Sequence, residues 1–118
     1  MAELTDHAID FTLNISWRDL PPVVQHQAKR CLMDTLGALI AGSQAPVAGI
    51  VRKAVQYQFG GDQATILVTG QRVSAAGAAL ANGFAGNALD IDDGYRLIKG
   101  HPGACALPPV LAAAELAG

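Results

Sequence analysis

VVQHQAKRCLMDTLGALIA, residues 23–41, decides the fold. Its apolar residues Val24, Ala28, Cys31, Leu32, Leu36, Leu39 and Ile40 recur at spacings of three and four, which makes one stripe along an α-helix. Gln25, Lys29 and Arg30 fall off that stripe. Pro21 and Pro22 suit a first helical turn, where a missing N–H costs nothing. Gly42 is a natural stop. Asp34, close to the stripe, reads as a structural carboxylate rather than a catalyst.

The flanking segments extend a helical pattern. Residues 4–15 carry apolar side chains at Leu4, Ala8, Ile9, Phe11, Leu13 and Ile15, with Thr5 or Asp6 as a possible cap. Residues 45–59 form a further amphipathic helix with Val47, Ile50, Val51, Ala54, Val55 and Phe59 inward, ended by Gly60-Gly61. ATILVT (64–69) is β-branched and short, and 71–73 supplies the return strand of a small hairpin. One hairpin is no independent sheet, so it is expected to lie on the helices. Ser74 caps an alanine-rich helix, AAGAALANGFAGNAL, whose small residues permit close helix–helix approach. Residues 104–116 form a last apolar helix with prolines near its start. The fold class is therefore mainly α, about five helices with at most one small β-hairpin. Residues 1–118 form a single helical domain or part of one. The last two helices are apolar nearly all round, and such helices are buried in a large core or an interface. They are expected to meet a second copy or the remainder of a longer chain.

Composition excludes several classes of function. A net charge of −2 gives no electrostatic reason to bind nucleic acid or an anionic membrane, and 5% aromatic residues argue against a base-stacking surface. Cys31 and Cys105 are too few and too far apart for a disulfide scaffold or a cysteine metal site. MAELTDHAIDF has no basic flank followed by an apolar run, so it is no secretory signal. The most apolar stretch is shorter than the ~20 residues of a spanning helix. The expectation is a cytoplasmic protein with no cofactor, no nucleic-acid partner and no membrane association.

The chemistry concentrates in NALDIDDGYRLIKGHPG, residues 87–103. Asp90, Asp92, Asp93, Arg96, Lys99 and His101 stand together in a chain that is only 15% charged. Clustered titratable groups mark candidate sites. If the preceding helix continues, Asp90 and Asp93 share one face, three residues apart. Neighbouring carboxylates disfavour each other's ionisation, which favours acid–base work over a solvated helix end. Three aspartates and a histidine are also donors for Mg²⁺, Mn²⁺ or Fe²⁺. Their spacing matches no metal signature, so a metal ranks below acid–base chemistry and none is expected. His101 lies between glycines, ahead of a helix N-terminus suited to anions. His101, Lys99 and Arg96 are placed to meet a carboxylate. His7 and His26 read as ordinary surface histidines.

Three stretches carry a family resemblance: CLMDTLGALIAGS (31–43), ANGFAGNALDIDDGY (81–95) and GHPGACALPPVLAAAE (100–115). In this order and spacing they resemble the N-terminal part of the MmgE/PrpD family, which includes 2-methylcitrate dehydratases, cis-aconitate decarboxylases and iminodisuccinate epimerases. The resemblance implies the N-terminal portion of the family's helical domain, with its α+β lid domain absent. It also implies a metal-independent homodimer, a small di- or tricarboxylate substrate, and a C-terminal part of the same protein to complete the site. The family's DxDD aspartate matches Asp90 and its HP histidine matches His101, giving these two the catalytic assignment. Lys99, Arg96 and Gly103 are assigned to substrate binding. Gly94 stands where many members have threonine, and the loop to the HP motif is slightly longer. The implied activity is a 2-methylcitrate dehydratase-like hydro-lyase, with the chain alone inactive. The alternatives are a decarboxylase, an epimerase, or a helical dimerisation fragment without catalysis.

Overall fold

A computed structural model of the chain describes residues 2–118 and is mainly α. In chain order the helices are α1 (Ala2–Asn14), α2 (Pro22–Gly42), α3 (Pro46–Gln58), α4 (Ala75–Asn87) and α5 (Pro102–Ala117), with a short 3-10 turn at Trp17–Asp19. The strands β1 (Ala64–Ile66) and β2 (Gln71–Val73) form one antiparallel hairpin, with Ala64 opposite Val73 and Ile66 opposite Gln71. No helix among the described residues is long and apolar enough to cross a membrane.

The described residues fall into two compact units, one ending at Arg30 and the other spanning Cys31–Gly118. In the first, α1 begins earlier than its apolar pattern suggests, so Thr5 and Asp6 lie inside the helix rather than capping it. The Asp19 carboxylate accepts from Ser16 Oγ (2.6 Å) and from Ser16 N–H (3.0 Å). These bonds favour the ionised form and hold Asp19 below the ordinary carboxyl value, the hydroxyl contributing most. Gln25 Nε2 donates to the Trp17 and Leu20 carbonyls, tying the start of α2 to the turn before it.

In the second unit, α4 is the hub. It packs on α5, α3 and the hairpin. Val55, Ala64, Ile66, Val73, Ala78, Ala81 and Ala112 form one buried cluster, and Leu39, Ala48 and Ala85 a second. Small residues set these distances. A Cβ on Gly42 would stand 2.0 Å from the Ala85 carbonyl oxygen, so α2 approaches α4 as closely as glycine alone permits. Ser74 caps α4 as expected, its Oγ accepting from Gly77 N–H at 3.1 Å. Buried Asn82 fastens the hairpin to α4, accepting from Leu67 N–H (2.9 Å) and donating to the Thr65 carbonyl (3.0 Å).

Of the side chains expected inward around α3, Ile50, Ala54 and Phe59 are exposed, and three further expectations change. Asp34 is exposed, and Thr35 beside it is the buried polar residue of α2. The last helix starts at Pro102, so Pro108 and Pro109 lie in its interior. Pro108 has no N–H for the Ala104 carbonyl, and that oxygen lies against α4, 3.2 Å from where a Gly83 Cβ would be. Finally, α4 ends at Asn87 and does not run on through the aspartates. Asp90 takes a left-handed conformation (φ 55°), which aspartate tolerates better than most residues. Asp90 and Asp93 therefore share no helix face.

Candidate active site

The segment between α4 and α5 folds back so that its aspartates surround the start of α5. Tyr95 N–H donates to the Gly100 carbonyl at 3.0 Å, closing a small turn whose exposed tip carries Arg96 and Lys99. Lys99 also has a positive φ, 50°. His101 is the residue before α5, and Pro102 opens the helix. Asp93 Oδ1 accepts from Gly103 N–H at 2.8 Å, satisfying one of the orphan donors of the first turn.

This arrangement brings two carboxylates to His101. Asp90 Oδ1 lies 3.3 Å from Nε2, and Asp92 Oδ2 lies 3.2 Å from Nδ1. Their surroundings are opposite. The Asp90 side chain is 85% exposed and that of Asp92 is 0% exposed. Asn87 Nδ2, at the last residue of α4, donates to Asp92 at 3.2 Å (Oδ1) and 3.1 Å (Oδ2). Nδ1 of His101 is itself buried and, despite its short distance to Asp92, makes no aligned hydrogen bond. Asp90, Asp92 and His101 each offer one ligand atom, and these atoms lie within 4.8 Å of one another. Oxygen and imidazole donors at this spacing also suit a divalent cation, although exposed acidic groups commonly stand together without one.

An open groove of about 680 Å³ runs between α4 and α5, with His101 and Asn87 in its lining beside Leu80, Gly83, Phe84, Ala104 and Cys105. The imidazole and the Asn87 amide are thus polar groups in a mostly apolar lining.

The residues singled out in the sequence are sorted by this geometry. Asp90 and His101 come together. Arg96 and Lys99 stand on the exposed turn. The N–H of Gly103, assigned from the sequence to substrate, is taken by Asp93. Asp92 and Asn87 had no catalytic or binding assignment, yet buried Asp92, held by exposed Asn87, makes the second contact to the ring. Their signal was faint: an asparagine at the end of an apolar helix, five residues before an aspartate.

The profile of the MmgE/PrpD N-terminal domain matches residues 7–118. The chain belongs to the MmgE/PrpD family. A curated relative, the cis-aconitate decarboxylase-like protein oryM of Aspergillus oryzae, is 28% identical over 98 residues, 83% of this chain and 20% of the relative. The chain thus spans about a fifth of the length of that relative. No solved structure matches.

Proposed function

We propose that this chain forms one wall of the active site of an enzyme that moves a proton beside a carboxylate of a small di- or tricarboxylate, as a 2-methylcitrate dehydratase-like hydro-lyase. The observation that carries the reading is His101, which lines an open groove and has Nε2 3.3 Å from the exposed Asp90 carboxylate, in a chain of this family. Dehydration breaks a C–H bond and a C–O bond on adjacent carbons. A base takes the carbon-bound proton, the electron pair forms the double bond, and the hydroxyl leaves with a proton from an acid, as water. A neutral imidazole is suited to the first transfer and its protonated form to the second. Asp90 orients the ring or shares the proton. Lys99 and Arg96 anchor substrate carboxylates by charge.

In this reading the opposite wall comes from further polypeptide of the same protein, the chain alone does not turn over, and the enzyme is a cytoplasmic homodimer that works without a metal. The described relative favours a second reading, decarboxylation of cis-aconitate, which needs the same proton donor to quench a carbanion after CO₂ leaves. Epimerisation of iminodisuccinate, removal and return of one proton, follows third.

The test is a substrate panel of 2-methylcitrate, citrate, cis-aconitate and iminodisuccinate on the complete polypeptide, with elemental analysis of the same sample. Dehydration of 2-methylcitrate is expected. CO₂ release from cis-aconitate selects the second reading. Folded protein inactive on all four contradicts the proposal, stoichiometric bound metal replaces it with a metal-assisted one, and robust turnover by the 118-residue chain alone defeats the single-wall reading.

A further inference from the structure

We propose that Asp92, held by Asn87, is a positioning residue that keeps a proton on Nδ1 of His101 and so leaves Nε2 as the atom that exchanges protons with a ligand. Polar satisfaction of the buried groups decides the tautomer. A carboxylate with no solvent exposure needs donors. Asn87 Nδ2 supplies them from one side. On the other side, Asp92 Oδ2 faces Nδ1 at 3.2 Å. Were Nδ1 to present its lone pair, two acceptors would face each other where water does not reach. Were it to carry the proton, donor and acceptor would meet, and both buried groups would be satisfied.

The two ring nitrogens of a neutral imidazole are complementary: the proton held on one leaves the other an acceptor. A buried partner on Nδ1 therefore turns Nε2 into the base. Nε2 faces Asp90, whose carboxylate is solvated and open to competition from a ligand. In the doubly protonated ring the Nδ1 proton is held by the buried carboxylate, and the Nε2 proton is the one that leaves. The Nδ1 contact is close but out of line. Hydrogen bonds of this kind are often poorly aligned without ligand and tighten when it binds. The backbone at the ring is fixed independently, since Pro102 opens α5 and Asp93 holds Gly103.

The tautomer belongs to the chain as it stands, whereas its use in turnover rests on the carboxylate-enzyme reading above. The two are tested separately. Two-bond ¹H–¹⁵N correlation of the uniformly ¹⁵N-labelled 118-residue chain at alkaline pH reads each tautomer. His101→Gln assigns the signal, and exposed His7 and His26 are internal references for an unconstrained ring. His101 is expected to show the Nδ1–H pattern, and Asp92→Asn, whose amide can donate to Nδ1, is expected to lose it. A wild-type His101 ring that matches His7 and His26, or that carries its proton on Nε2, overturns the proposal, and this holds even if the variant does not fold. A folded Asp92→Asn chain that keeps the wild-type pattern also overturns it. No substrate enters this measurement, so its failure and that of the substrate panel are independent. In the complete enzyme, Asp92→Asn is expected to lower kcat with little change in KM. A rise in KM at constant kcat would place Asp92 in substrate binding and contradict the positioning role.

Discussion

Asp93 Oδ1 accepts the Gly103 N–H at 2.8 Å, tying the loop after α4 to the second residue of α5. A side chain at that junction displaces Asp93 or Thr35. A Cβ on Gly103 would lie 2.4 Å from Asp93 Oδ1 and 2.5 Å from Thr35 Oγ1. The contact fixes the backbone next to His101, so local packing and the geometry of the site depend on the same glycine.

Gly103→Ala is therefore expected to destabilise the fold by about 1–3 kcal/mol, the usual cost of overpacking. Urea denaturation measures it. In an Asp93→Ala background the same substitution should cost less, because one of the two colliding groups is gone. Additive effects of the two changes would contradict the close contact.

Asn82 serves the hairpin as Asp93 serves α5. Asn82→Ala removes the partner of both the Leu67 N–H and the Thr65 carbonyl. A loss of roughly 1–3 kcal/mol is expected, the cost of leaving a buried polar group unpaired. Amide hydrogen exchange at Leu67 should accelerate in the same variant. Unchanged exchange there would show that the side chain does not hold the strand.

A pH dependence follows from Glu115 on α5. Its carboxylate accepts from Thr65 Oγ1 (2.6 Å), from Thr65 N–H (3.2 Å) and from Arg72 Nη1 (3.3 Å). The Thr65 hydroxyl is the main cause that lowers its pKa from the ordinary 4.5; partial burial opposes the shift, and the Thr65 N–H and Arg72 reinforce it. A carboxyl with a depressed folded value contributes stability above its unfolded value, lost as pH falls through the folded one. As pH falls below about 5 and through the lowered folded value, the wild-type chain should lose more stability than Glu115→Gln. Asp19 acts with the same sign and is common to both proteins, so their difference isolates Glu115. Parallel stability curves would contradict the assignment.

Much of the fold was legible because its boundaries are written in local chemistry. Ser74 caps α4, Gly42 closes α2, and the run expected at 64–69 pairs with 71–73, though only over 64–66. The limits have physical causes. Pro108 and Pro109 read as a helix start, but Pro102 had already opened α5, and Gly83 leaves room for the carbonyl that Pro108 cannot satisfy. The helical continuation through Asp90 failed because a left-handed residue redirects the chain, and sequence periodicity carries no signal of that turn. In the site, Asp90 and His101 were legible through the family motif. Asp92 was not, because what distinguishes it from its neighbours is burial against Asn87 and His101, a property of the folded loop alone.

The proposed function rests on proton transfer by His101 beside a substrate carboxylate. The most direct measurement is kcat/KM of the complete polypeptide and of its His101→Ala variant on whichever of the four carboxylates it converts. A loss of at least about 10²-fold, the scale of a positioned general acid or base, is expected, with the variant folded. Wild-type turnover by His101→Ala would contradict the account.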